Sequence, residues 1–187
     1  MNYTINTRRF NNESPTIGCW DGIRFEDSSV DASCILKYCE IEYADYGVYA
    51  YNSYPTVHSC WIHNNIYGLR GASSSMIVNN NKIYNNSQDG GYLYKGTPRF
   101  YNNTVYSNTG NGLKFFLSSG KIGYTSGTSQ GKNEIRDNGS WGIRAQELTE
   151  IFMGSSDSEG NRIGGYNAVM TLMLRQNTII GELLIQH

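Results

Sequence analysis

The stretch Asn103-Thr-Val-Tyr-Ser-Asn-Thr-Gly-Asn-Gly-Leu-Lys-Phe-Phe116 decides the reading of the whole chain, because its parts keep recurring. Its opening is a small or amide residue, any residue, then Ile or Val. The same triplet occurs as Cys39-Glu-Ile41, Cys60-Trp-Ile62, Asn81-Lys-Ile83, Asn133-Glu-Ile135 and Asn161-Arg-Ile163. The aliphatic members stand at 41, 62, 83, 105, 135 and 163, in steps of 21, 21, 22, 30 and 28. Three residues later comes Asn65, Asn86, Asn108 or Asn138, with Ala44 in the first copy. A glycine follows: Gly47, Gly68, Gly90, Gly112 or Gly142. Self-similarity at a period in the low twenties marks a solenoid, in which each repeat is one coil.

Within a repeat, the residues after the glycine alternate inward and outward, the period of a half-buried strand. Trp20-Asp-Gly-Ile-Arg-Phe25, Gly47–Tyr51, Gly68–Gly71, Gly90–Tyr94, Gly112–Phe116 and Gly142–Ala145 follow this pattern. Gly90 rather than Gly91 begins the fourth of these, since it lies 22 residues from both Gly68 and Gly112. A second strand centres near Leu36, Val57, Val78 and Phe100 and runs into the third at the triplet. No segment carries a 3.6-residue apolar period over a dozen residues, so helices are not expected.

The prediction is therefore an all-β parallel β-helix, one domain over 1–187, with about seven coils of 21–30 residues and three short strands per coil. Residues 1–19 read as a partial first coil with a turn around 11–15. Segments 120–133 and 153–161 read as loop insertions, and 164–187 as degenerate last coils with strands at 171–174 and 183–185. Both ends expose unpaired strands, which predicts that the chain is part of something larger or associates end to end.

Composition agrees. Apolar residues make up 39 % of the 187, while the chain holds 21 glycines and 15 tyrosines, as a narrow core with many turns requires. Fifteen Lys and Arg against 16 Asp and Glu give no global charge to draw nucleic acid, and no apolar run is long enough to span a membrane. Cys19, Cys34, Cys39 and Cys60 form no CxxC pair; Cys39 and Cys60 are expected to stack on successive coils as buried thiols, with a disulfide between adjacent coils as the minor alternative.

The combination of Ile-x-x-Asn, Gly-Ile-x-x and Asn-x-Ile resembles the right-handed parallel β-helix repeat family, the pectin-lyase-like superfamily. Trp20-Asp-Gly-Ile-Arg-Phe-Glu-Asp-Ser-Ser29 and Leu36-Lys-Tyr-Cys-Glu-Ile-Glu-Tyr-Ala44 are similar to opening repeats of bacterial exported β-helix proteins. The resemblance implies a right-handed solenoid and an extracellular or cell-surface location. It does not fix a reaction, because that superfamily holds lyases, hydrolases, epimerases and adhesins. The acidic motifs of polygalacturonase-type relatives are missing here, and no facing carboxylate pair is evident on an outward column.

The outward positions carry the functional signal. The first outward column reads Arg24, Tyr49, Arg70, Tyr92, Lys114, Arg144, and the second includes Tyr51, Tyr94 and Phe116. Aromatic faces stack on sugar rings and Arg forks hold carboxylate or sulfate, so this track suits an acidic polysaccharide. Tyr and Arg also stabilise an exposed sheet face by their own packing. Two further readings stay open: a lyase or hydrolase acting on uronate polymers, with Arg24, Arg70 or Lys114 beside the groove, and a structural spacer of a larger surface protein. No cofactor or metal site is expected. Glu26, Asp27 and Asp31 read as turn carboxylates, Asp157 and Glu159 as loop acids with calcium as the minor alternative, and His58 and His63 as surface histidines.

Overall fold

The computed structural model describes residues 4–5, 14–125, 128–129, 133–147, 149–153 and 162–163. Among them the chain is all-β apart from one 3-10 turn at Asp31–Ser33. Three parallel sheets run the length of the solenoid, one strand of each per coil. The first sheet stacks Ile23–Phe25, Tyr46–Tyr51, Tyr67–Ala72, Gly91–Tyr94, Leu113–Phe116 and Ile143–Gln146. The second stacks Ile35–Lys37, Thr56–His58, Ile77–Asn79, Arg99–Tyr101, Ser119–Ile122 and Glu150–Met153. The third stacks Glu40–Ile41, Trp61–His63, Lys82–Tyr84, Thr104–Tyr106, Glu134–Arg136 and Arg162–Ile163.

Each sheet thus has six parallel rungs among the described residues, where about seven coils were expected. Part of the difference lies at the start. Thr4–Ile5 pairs antiparallel with Ile23–Phe25, so this strand covers the edge of the first sheet instead of beginning a coil. Among the described residues, Cys19, Trp20 and Asp21 bond or bridge to Tyr43, Ala44, Asp45 and Tyr46 of the next coil. The expected strands at 171–174 and 183–185 lie outside the described residues, as does 164–187 generally.

Register follows the repeat. Ile41, Ile62, Ile83, Val105 and Ile135 pair rung to rung and are buried in one stripe. Val57, Val78, Phe100 and Ile122 form the matching stripe of the second sheet. Ile122 shows that the insertion starts later than residue 120: Ser119–Ile122 is still a rung, and the extra residues after it include an antiparallel pair, Tyr124–Thr125 with Thr128–Ser129.

The three corners share one construction: a residue with positive φ, then a buried small or polar residue that bonds along the solenoid axis. Between the third and first sheets, Asn64, Asn85, Ser107 and Asp137 take φ of 52–54°, and Asn65, Asn86, Asn108 and Asn138 follow. The left-handed region is reached there mostly by residues that tolerate it. Asn65, Asn86 and Asn108 each donate one amide hydrogen forward to the Oδ1 of the next coil, as Asn65 does to Asn86 at 3.2 Å and Asn86 to Asn108 at 2.8 Å. The other hydrogen goes back to a core carbonyl, for example from Asn86 to Ile62 O. The expected amide ladder is therefore present.

A second ladder, which the sequence reading treated only as part of the strand triplet, fills the corner before the third sheet. Asn81 donates to Asn103 and Asn103 to Asn133, at 3.1 and 2.9 Å. Cys60 continues it with its backbone N–H on Asn81 Oδ1, and burial pushes the Cys60 thiol up from its ordinary pKa. All four cysteines are free thiols. At the third corner Ser53, Ser74 and Ser118 donate to carbonyls of the preceding coil. The repeating glycine is there for room rather than for its φ. A Cβ on Gly47 would lie 2.6 Å from Gly68 O and 2.6 Å from an Ile62 methyl.

Candidate functional site

The outward side of the first sheet holds every predicted site residue in register. Arg24, Tyr49, Arg70, Tyr92, Lys114 and Arg144 pair in that order down one column. Tyr51, Ala72, Tyr94, Phe116 and Gln146 pair down the second. Strand order alone puts them there, because a parallel in-register ladder keeps equivalent residues about 4.8 Å apart. Arg24, Arg70 and Lys114 therefore recur at alternate rungs, about 10 Å apart, with Tyr49 and Tyr92 between them.

The aromatic and cationic side chains touch. Arg24 lies over the Tyr49 ring at 4.5 Å, and Tyr92 is flanked by Arg70 at 3.9 Å and Lys114 at 4.7 Å. Tyr94 meets Phe116 at 5.8 Å and carries Lys95 over its ring at 5.0 Å. Such stacks hold a guanidinium flat without consuming its N–H donors.

The charges differ in how they are answered. Arg24 is tied to Glu26 at 2.9 Å, within the turn where Glu26 N–H also bonds Ser29. Asp31 accepts the Tyr54 N–H. The Glu26 carboxylate thus answers Arg24 and that of Asp31 bonds across coils, and Asp157 and Glu159 lie outside the described residues. Arg70 has no such partner: its Nη1 is buried with no hydrogen bond, and it makes no ion pair among the described residues. A buried, unanswered guanidinium N–H is an uncommon and costly arrangement. A carboxylate or sulfate oxygen would complete it.

The sequence reading missed a third column beside these, at the position just before each repeat glycine. Tyr46 and Tyr67 pair and stack at 5.6 Å, and Tyr46 also reaches Tyr49 at 5.5 Å. Tyr67 leans toward Tyr92 at 6.4 Å, which widens the aromatic floor around Arg70. Burial first, then the nearby Asp89 charge, raises the Tyr67 pKa and keeps its phenol a hydrogen-bond donor. Asp89 is itself buried and accepts both the backbone and side-chain N–H of Asn111 at 2.7 Å. The 21-residue spacing of Tyr46 and Tyr67 was the available signal for this column.

No helix among the described residues is long and apolar enough to cross a membrane. No curated protein and no solved structure matches the chain. Residues 2–143 match the family described as the right handed beta helix region, which with the three-sheet parallel solenoid shows that the chain belongs to the right-handed β-helix family.

Proposed function

We propose that this β-helix is a non-catalytic module that binds an acidic polysaccharide along the outward face of its first sheet, outside the cell or at its surface. The observation that carries the proposal is Arg70: a guanidinium clamped on Tyr92 with one buried nitrogen left unbonded. The alternate-rung cations and the floor of Tyr46, Tyr49, Tyr67 and Tyr92 extend that single contact into a track. A polymer with regularly placed anionic sugars engages several rungs at once, so its affinity exceeds that of a single sugar.

Retention on immobilised polygalacturonate and heparin, with dextran as the neutral control, tests the reading. Binding to one of the anionic polymers is expected, weakening as salt screens the charges and falling sharply in Tyr49→Ala plus Tyr92→Ala. Failure to bind either polymer, or binding that the double variant leaves intact, would overturn it. New unsaturated or reducing ends on polygalacturonate would instead assign the face to a lyase or hydrolase.

A further inference from the structure

We propose that His63 and Glu42, oriented by Glu40, form a site for a borderline divalent cation such as Zn2+ on the outward face of the third sheet.

The three residues come together through register. Glu40 pairs with Trp61 and Ile41 with Ile62, so Glu40 and Glu42 flank the inward Ile41 while His63 stands on the neighbouring rung. His63 was expected to be a surface histidine. It does point away from the core, but its side chain is only 8 % exposed. Tyr84, from the next rung, stacks on the imidazole at 4.6 Å and 18°, and Tyr106 stacks in turn on Tyr84 at 5.0 Å. The ring is thereby held in one orientation.

That orientation leaves one nitrogen unused. Nε2 is 2.9 Å from Glu40 Oε1; a carboxylate accepts, so Nε2–H is the donor and the neutral ring carries its lone pair on Nδ1. Nδ1 is buried and has no hydrogen-bond partner. It faces Glu42 Oε2 at 3.9 Å, too far for a hydrogen bond. With the ring neutral, two electron-pair donors face each other across a gap with no hydrogen between them.

A cation is what such a gap fits. Zinc lies about 2.0–2.1 Å from imidazole nitrogen and about 2.0–2.2 Å from carboxylate oxygen, so one ion reaches both atoms with a bent angle. Ligand atoms of all three residues lie within 4.8 Å of one another. Glu42, 40 % exposed, has the freedom to close on the ion. The Glu40 contact is the carboxylate–histidine pairing that fixes a metal-binding tautomer. An imidazole donor favours zinc-like ions over calcium or magnesium.

Calorimetric titration of the full chain with Zn2+, with Ca2+ as comparison, tests the site. Nitrogen-15 shifts of the His63 ring give a second readout. Saturable Zn2+ binding is expected, with the Nδ1 resonance moving while Nε2 keeps its proton, and no comparable response to Ca2+. His63→Gln and Glu42→Gln should abolish that response, and Glu40→Gln should weaken it roughly ten-fold. His58→Gln should leave it unchanged. The thiols are common to all these variants, so a difference between them reports this site alone. If His63→Gln fails to fold by circular dichroism, the exposed Glu42→Gln decides. Lack of saturable Zn2+ binding at millimolar ion, or binding that Glu42→Gln leaves intact, would overturn the proposal.

Discussion

Arg70 and Arg136 both lie over a tyrosine of the adjacent rung, at 3.9 and 4.8 Å, yet they end differently. On the third sheet, Arg136 is held by Glu134 at 2.9 Å and Asp137 at 2.7 Å, which satisfies its fork inside the protein. On the first sheet, Arg70 has the same aromatic support and no carboxylate partner among the described residues. The difference teaches that an arginine on a tyrosine is only packing. The informative feature is the missing internal counter-charge, and it separates a face built for itself from one that accepts something else.

The largest effect should come from removing what supports both faces. Ile83→Ala empties a fully buried rung of the core and should cost about 2–5 kcal/mol in chemical denaturation. Next, Arg70→Ala should weaken binding to an anionic glycan by about 1.5–3 kcal/mol, the value of hydrogen bonds to charged groups, while the denaturation midpoint stays close to wild type. Asn86→Ala unpairs the Asn65 N–H and Ile62 O, and denaturation should show about 1–3 kcal/mol lost for each buried group left bare. Arg136→Ala should be the smallest, within about 1 kcal/mol of stability and with no change in glycan affinity. If Arg136→Ala reduced affinity as much as Arg70→Ala, the contrast between the faces would collapse.

Much of this was legible in the chain itself. The triplets and glycines set the period, and a period-2 alternation inside each repeat assigned Arg70, Tyr92 and Lys114 to one outward column, where they pair. Asn65, Asn86, Asn108 and Asn138 announced one corner, since an amide recurring at a bend has few other uses. What stayed hidden depends on relations across coils. Asn81 and Asn103 looked like strand markers because each stands beside its own aliphatic residue, while its bonds run to other coils. Ser53 and Ser74 also stand 21 residues apart, but a serine at that spacing suits a loop as well as a ladder. The burial of His63 requires Tyr84 from one neighbouring coil and Glu40 and Glu42 from the other, and no local window contains all of them.

The amide ladders also have a sense of direction. Asn65, Asn86 and Asn108 each give one side-chain hydrogen to the amide oxygen of the C-terminal neighbour, so Asn86, Asn108 and Asn138 each receive from the N-terminal side. One reversed amide would set two oxygens against each other, so the orientation is inherited from coil to coil. Ala44 gives its backbone N–H to Asn65 but has no amide of its own, which makes it the first step of a one-way relay.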